Sequence, residues 1–226
     1  MADPELVFTT LVPKFQKKRN HPEIVASLPE GCHEAYFDES GGSVEKVDPS
    51  SCFWSTNPCS IESPLTLTAE ETFFLCYALG RLLVRESKDP NKPALSIDAL
   101  WCRFCEGDRR FVERYAVYHY YRSLGWVVGS GHNYGTDYVL YRDGPQNYHS
   151  TYAVLLEPQP KLNWTNMCGL TRAISATSKE LIVCSVSCEQ QLSEDDMTTP
   201  QCLQHYMVKE MLVKPWFPAK SREETL

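Results

Sequence analysis

The sequence predicts an α/β protein of the α+β kind: a C-terminal mixed β-sheet flanked by helices, preceded by a smaller, mainly helical domain. Three observations lead there. Apolar residues recur at helical spacing between residues 68 and 124. After Gly125 the period drops to that of strands. A further helical stretch, residues 164–176, then separates two groups of strand-like runs.

The elements follow in order. Residues 1–65 are rich in Pro, Ser, Gly and Asn, with turn clusters at Glu39-Ser40-Gly41-Gly42 and Asp48-Pro49-Ser50-Ser51. They read as a loop-rich region with strand-like pieces around Val7 and Tyr36. Thr68-Ala69-Glu70-Glu71 has the form of a capping box, because the glutamate stands three residues after a threonine cap. The helix it opens carries Phe74, Leu75, Ala78, Leu79 and Leu82 on one face. A second helix follows Ser96, with Ile97, Leu100, Trp101 and Phe104 together; a third spans 109–124 and ends at Gly125. Trp126-Val127-Val128 and Tyr138-Val139-Leu140-Tyr141 read as strands, the second closed by the turn Asp143-Gly144-Pro145. Residues 151–156 continue as a strand, 164–176 as a helix, and 181–186 as a strand with apolar residues on both faces. A last strand, 207–213, is a candidate edge for pairing with a partner. The expected organisation is a loop-rich region at 1–65, a helical domain at 66–110, the sheet domain at 111–218 and a tail at 219–226.

Composition narrows the function classes. The chain has 226 residues, 42% hydrophobic and 23% charged, which suits a folded protein and excludes collagen or global disorder. Its 22 Lys+Arg against 29 Asp+Glu leave a net charge of −7. Domains that coat nucleic acid by bulk charge are usually basic, so any RNA must be handled through a local site or through partners. No apolar run approaches the ~18 residues of a membrane span, and Asp3 and Glu5 stand where a secretion signal needs positive charge. The ten cysteines are therefore expected as reduced thiols in a cytosolic or nuclear protein. Lys14, Lys17, Lys18 and Arg19 form a short basic cluster, either a solvated loop or a nuclear-import signal. Cys102 and Cys105 make a C-x2-C pair, with Cys184 and Cys188 as the nearest second pair. Because Cys102 and Cys105 lie i, i+3 in a helical pattern, they read as small hydrophobes, and no metal site is expected.

P-loops, dinucleotide-binding glycine motifs, zincin motifs and nucleophile elbows are all absent from the sequence. What stands out is a polar concentration around one turn. Tyr141 ends a strand, His149 immediately precedes the next, and the seven residues between include Gly144 and Pro145. Lys179 lies between a helix and the following buried strand. A phenol, an imidazole and an ammonium suit metal-free cleavage of RNA by the neighbouring 2′-hydroxyl. One group removes the 2′-OH proton, one protonates the departing 5′-oxygen, and a fixed cation stabilises the phosphorane. Histidine titrates near neutrality and can be the acid. Tyrosine needs a lowered pKa to be a base, which an adjacent ammonium favours. By spacing alone, a Tyr at a strand end is more often a wall of the core, and a lone His more often a satisfied polar residue.

Four segments carry a resemblance. Tyr118-His119-Tyr120-Tyr121-Arg122-Ser123-Leu124-Gly125-Trp126 resembles the segment that opens the catalytic domain of tRNA-splicing endonuclease subunits. Tyr134-Gly135-Thr136-Asp137-Tyr138-Val139-Leu140-Tyr141-Arg142-Asp143-Gly144-Pro145 is similar to that family's next motif, and Tyr148-His149-Ser150-Thr151-Tyr152-Ala153-Val154 to the one after. Arg172 through Lys179-Glu180-Leu181 resembles the stretch that carries the family lysine. Order and spacing hold over residues 67–216, and the likeness is greatest to the Sen2-type catalytic subunit, the one assigned to the 5′ splice site.

The resemblance implies that Tyr141 is the general base, His149 the general acid and Lys179 the transition-state cation. The products would be a 2′,3′-cyclic phosphate and a 5′-hydroxyl, with no cofactor. It further implies that cationic side chains grip an unpaired intron base. Arg172 matches one of them. Pro215 stands where the second arginine often precedes the C-terminal Trp, here Trp216, which leaves Lys214 as the nearest cation. The implied partners are precursor tRNA, a second catalytic subunit and two structural subunits in a heterotetramer, in the nucleus, and a chain weak or inactive alone. A non-catalytic scaffold of the same assembly is the rival reading.

Two further patterns compete. Asp137 and Glu157 with Lys179 suggest a metal-dependent nuclease of the restriction-endonuclease kind, but there the acid and the lysine stand two apart on one strand, whereas Glu180 follows Lys179 directly. Residues 101–126 hold eight aromatics and five arginines, a composition that could serve RNA stacking; their helical spacing points to core and surface lining instead.

Overall fold

The computed structural model describes residues 33–37, 44–46, 65–86, 93–145, 147–157, 163–188 and 196–214. The expected strand at Val7, the basic cluster at Lys14–Arg19, the acidic Glu194 and Asp195, Pro215 and Trp216 lie outside them.

The class is α+β, with two sheets. The first is built from β1 (His33–Phe37), β2 (Val44–Lys46), β3 (Leu65–Leu67) and β4 (Leu82–Arg85), ordered β3-β2-β1-β4. β1 runs antiparallel to β2 and parallel to β4, with Ala35 opposite Val84. The strand expected at Tyr36 is therefore present. The leading part of the chain is less helical than its periodicity suggests, and the reason is local. Helix α1 (Ala69–Phe73) opens with the expected capping box: the Glu71 amide donates to Thr68 Oγ1 at 3.3 Å, and the Thr68 amide to Glu71 Oε2 at 3.0 Å. The helix then widens into a π-turn, Phe74–Ala78, in which the Leu79 amide donates to the Phe74 carbonyl five residues back. Gly80 turns left-handed at φ 59° and ends it. Leu82 belongs to β4, where Leu82 and Val84 are buried and Leu83 is exposed, a period of two. The apolar spacing that seemed to extend the helix to Leu82 is a helix and a strand in succession.

Helix α2 (Ile97–Gly107) is capped by the Ser96 hydroxyl, which accepts from the Ala99 amide, and buries Leu100, Trp101 and Phe104. Helix α3 (Phe111–Ser123) stops at Gly125, whose φ of 87° suits glycine. Phe73 sits among Trp101, Phe111 and Tyr115, with ring centroids 5.0, 6.1 and 4.9 Å away. Of the eight aromatics in residues 101–126, six are buried and Tyr120 and Trp126 are half-buried, so they form core as their spacing predicts.

The second sheet holds β5 (Val127–Ser130), β6 (Tyr138–Tyr141), β7 (Tyr152–Leu156), β8 (Glu180–Cys188) and β9 (Tyr206–Val213), in chain order across the sheet. Every pairing is antiparallel except β7–β8, which helix α4 (Trp164–Ala176) connects. Asn163 caps α4, its side chain accepting from the Asn166 amide. One face of the sheet joins the aromatic core through Leu140, Val154, Ile182 and Cys184. The other, through Val139, Ala153, Leu181 and Val183, packs on Ile174 of α4. β8 is apolar on both faces for this reason. β9 is one of the two edge strands, with Met207 and Met211 exposed. Among the described residues no helix is long and apolar enough to cross a membrane.

Burial pushes the Glu71 carboxyl from its usual 4.5 up to about 7, although the Thr68 amide bonded to it pulls the other way. A raised native pKa means that the folded state holds a proton the unfolded chain has released, so stability falls as pH rises between ~4.5 and ~7. Glu71→Gln keeps an acceptor for the Thr68 amide and removes the charge. Its Tm is expected a few degrees above wild type at pH 8 and nearly equal at pH 5. Thermal unfolding followed by circular dichroism at both values checks this; an equal difference at both would refute it.

Candidate active site

The connectivity of the second sheet gathers the polar residues. Because β6 and β7 are antiparallel, the end of β6 lies beside the start of β7. Because β7 and β8 are parallel, the start of β8 lies there too. Leu140 pairs with Tyr152, and Tyr152 with Glu180. One residue further along, Tyr141, Thr151 and Lys179 occupy a single row, about 10 Å wide at the spacing of adjacent strands. The Thr151 amide donates to the Leu140 carbonyl and the Glu180 amide to the Thr151 carbonyl, both at 3.0 Å, which pins the row. His149 lies two residues before Thr151, at the same sheet end.

Tyr141 is half-buried on the α4 face, against the small cluster around Val139 and Leu181. Burial raises its phenol pKa, neighbouring Tyr134 raises it further, and a hydrogen bond with the Ser150 hydroxyl lowers it. The lowering expected from an adjacent lysine is not what the fold provides: the net direction is upward, and the group that opposes it is a buried serine. Ser150 escaped the sequence reading, whose only signal was its place beside His149.

His149 follows a turn in which the Asn147 and Tyr148 amides both donate to the Gly144 carbonyl, with Gly144 at φ 100°. It is exposed, and no hydrogen bond ties it to another described residue. Arg142, next to Tyr141, stacks on the Tyr148 ring at 5.8 Å.

Lys179 follows Ser178, which takes the left-handed conformation at φ 59° just after α4. Its ammonium donates to the Thr177 carbonyl at 3.3 Å and lies 4.4 Å from the centre of the Tyr134 ring. Tyr134 is thus Lys179's aromatic neighbour.

Arg172 is exposed in the penultimate turn of α4, toward the helix end that leads to Lys179. Lys214 directly follows β9, also at this sheet end, and pairs with Glu180 at 3.5 Å. Trp216, the remaining base-binding candidate, lies beyond the described residues.

The competing patterns separate in space. Asp137 precedes β6 and Glu157 follows β7, so both stand at the sheet end opposite Lys179, roughly 13 and 20 Å away along β7. Asp137 is occupied there, accepting from the Leu156 amide at 2.8 Å. Cys102 donates to the Thr198 carbonyl, whereas Cys184 is buried 3.2 Å from the Tyr121 hydroxyl in the core. No group of three or more His, Cys, Asp or Glu able to hold a metal stands together among the described residues.

Comparison with known proteins identifies the family. The family model of the tRNA intron endonuclease catalytic C-terminal domain matches residues 111–198, which run from α3 to the turn before β9. The tRNA-splicing endonuclease subunit Sen2 of Gallus gallus is 40% identical over 177 residues, covering 74% of this chain and 38% of that protein. Subunit SEN2 of Saccharomyces cerevisiae is 31% identical over 167 residues, covering 70% and 42%. Subunit Sen2-1 of Arabidopsis thaliana is 33% identical over 172 residues, covering 71% of this chain and 67% of its own length. The chain spans little more than a third of the vertebrate relatives it matches. With that identity sustained over two thirds of the plant protein, the chain belongs to the Sen2 family of tRNA-splicing endonuclease subunits.

Proposed function

We propose that this chain is the catalytic subunit that cleaves precursor tRNA at the 5′ splice site. The observation that carries the reading is the convergence of Tyr141, His149 and Lys179 on one sheet end. Tyr141, as phenolate, takes the proton of the 2′-hydroxyl, whose oxygen attacks the adjacent phosphorus. His149 gives a proton to the 5′-oxygen as the P–O5′ bond breaks. Lys179 stabilises the charge on the phosphorane between them. The products are a 2′,3′-cyclic phosphate and a 5′-hydroxyl, and the three side chains supply every proton and charge the step needs. The row is about 10 Å wide, room for one phosphate between a phenol and an ammonium.

Arg172, Lys214 and Trp216 are the groups we assign to gripping the flanking nucleotide. Lys214 must leave Glu180 to take part, an exchange that exposed ion pairs make at little cost. Few cations for a whole tRNA, on a chain of net charge −7, imply that other subunits hold most of the substrate. The assembly is a heterotetramer of two catalytic and two structural subunits, with open-edged β9 as a surface for pairing. A nuclear location fits a chain whose described cysteines form no disulfide.

The test is cleavage of precursor tRNA by the reconstituted complex in excess chelator. Activity is expected to persist, and His149→Ala to remove 5′ cleavage by several orders of magnitude while 3′ cleavage continues. Unchanged 5′ cleavage in that variant would sink the assignment. This chain without its partners is expected to cleave at least a hundredfold more slowly, as a single-turnover assay would measure.

The phenol's raised pKa sets the level of the pH profile. With a phenolate base and an imidazolium acid the rate follows the product of the two fractions, so it climbs in acid and levels off above the range where an imidazole titrates, because the two pH dependences then cancel. Ser150→Ala removes the hydrogen bond that lowers the phenol pKa, so the phenolate fraction and the plateau rate drop by about two- to tenfold while the shape of the profile stays the same. An unchanged plateau rate in this variant argues against Tyr141 as the base.

A further inference from the structure

The loop that carries Tyr134 is built to be rigid. The Gly131 amide donates to the Asp137 carbonyl at 3.0 Å, and the Thr136 amide returns to the Gly131 carbonyl at 3.2 Å. A Cβ at Gly131 would fall 2.4 Å from Thr136 Oγ1 and 2.7 Å from the Thr136 carbonyl, so the loop closes only on glycine. Within it, the Tyr134 amide donates to the Gly131 carbonyl at 2.8 Å. Gly135, left-handed at φ 68°, terminates the short 3-10 turn His132–Tyr134. The Tyr134 ring packs against the cluster of Val139, Ile174 and Leu181 on the α4 face.

Lys179 has no such rigidity of its own. It is a long, rotamer-rich side chain on the short link after α4, and one hydrogen bond to the Thr177 carbonyl would leave it several rotamers. The ring of Tyr134, 4.4 Å from the ammonium, supplies the second contact. A cation above an aromatic face is attracted by the ring quadrupole, more strongly where water is partly excluded, and Lys179 is half-buried. Tyr134 and Tyr141 also pack against the same small apolar cluster.

We propose that Tyr134 is a positioning residue: its ring holds the Lys179 ammonium at the site, leaving N–H donors for the phosphorane oxygens. The inference rests on the reading of Lys179 as the transition-state cation. The ring carries the role rather than the hydroxyl, which separates this proposal from a contribution of the phenol to proton transfer.

The test uses the reconstituted complex with Tyr134→Phe and Tyr134→Leu, each alone and combined with Lys179→Ala, in single-turnover cleavage. Tyr134→Phe is expected within about twofold of wild type. Tyr134→Leu is expected about tenfold slower at saturation, with the half-saturating tRNA concentration unchanged. In the Lys179→Ala background Tyr134→Leu should cost nothing more, because the ring acts through the lysine. In the full chain labelled at lysine, the Lys179 ε-protons should show an upfield ring-current shift that Tyr134→Phe retains and Tyr134→Leu abolishes. A full additional loss in the Lys179→Ala background, Phe as slow as Leu, or no ring-current shift overturns the positioning role. Lys179→Ala at wild-type rate refutes the reading of the site beneath it, a result distinct from additivity.

Discussion

The site depends on one pairing, the parallel contact of β7 with β8. A parallel neighbour cannot follow through a tight turn; it needs a crossover, and α4 supplies it. The consequence is directional. An antiparallel β8 would start where β7 ends, and Lys179 would lie at the end that holds Asp137 and Glu157. The crossover returns the chain to where β7 began, beside the end of β6. The same helix covers the face on which Tyr141 packs, so it fixes both which end and which face the site occupies.

The opposite face gives this arrangement its stiffness. Phe73, Trp101, Phe111 and Tyr115 interlock at ring distances of 4.9 to 6.1 Å, and loss of one such buried ring costs about 3–5 kcal/mol. Tyr121 extends the contact into the sheet, donating to Glu210 of β9 at 2.9 Å and touching Cys184 of β8. The two strands that follow α4 are thereby tied to a helix that precedes the sheet. The site sits on strand ends and short turns fastened from behind, not on a long loop.

Much of this is legible in the sequence, where local chemistry decides. Thr68 and Glu71 announce a helix because the capping box uses only groups three residues apart. Gly125 announces an end because only glycine takes its backbone angle without strain. Tyr141 and His149 can be brought together on paper because a turn of seven residues must reverse the chain. Elsewhere the outcome depends on contacts across the fold. Leu82 fits the helical period by coincidence; the π-turn at Phe74–Ala78 and the left-handed Gly80 separate it from the helix. Ser150 looks like any serine until its hydroxyl meets Tyr141. Tyr134 gains its importance only when the end of α4 swings Lys179 above it, across 45 residues. The separation of Asp137 and Glu157 from Lys179 likewise follows from strand direction, which periodicity cannot convey.

Ser178 carries an implication of its own. A residue with a Cβ held at φ 59° gives up about 1 kcal/mol that glycine would not. Glycine there would ease the native conformation while granting the hinge before Lys179 many more backbone states. The Cβ at position 178 therefore costs some local stability while leaving fewer backbone states to the short link that carries the Lys179 ammonium.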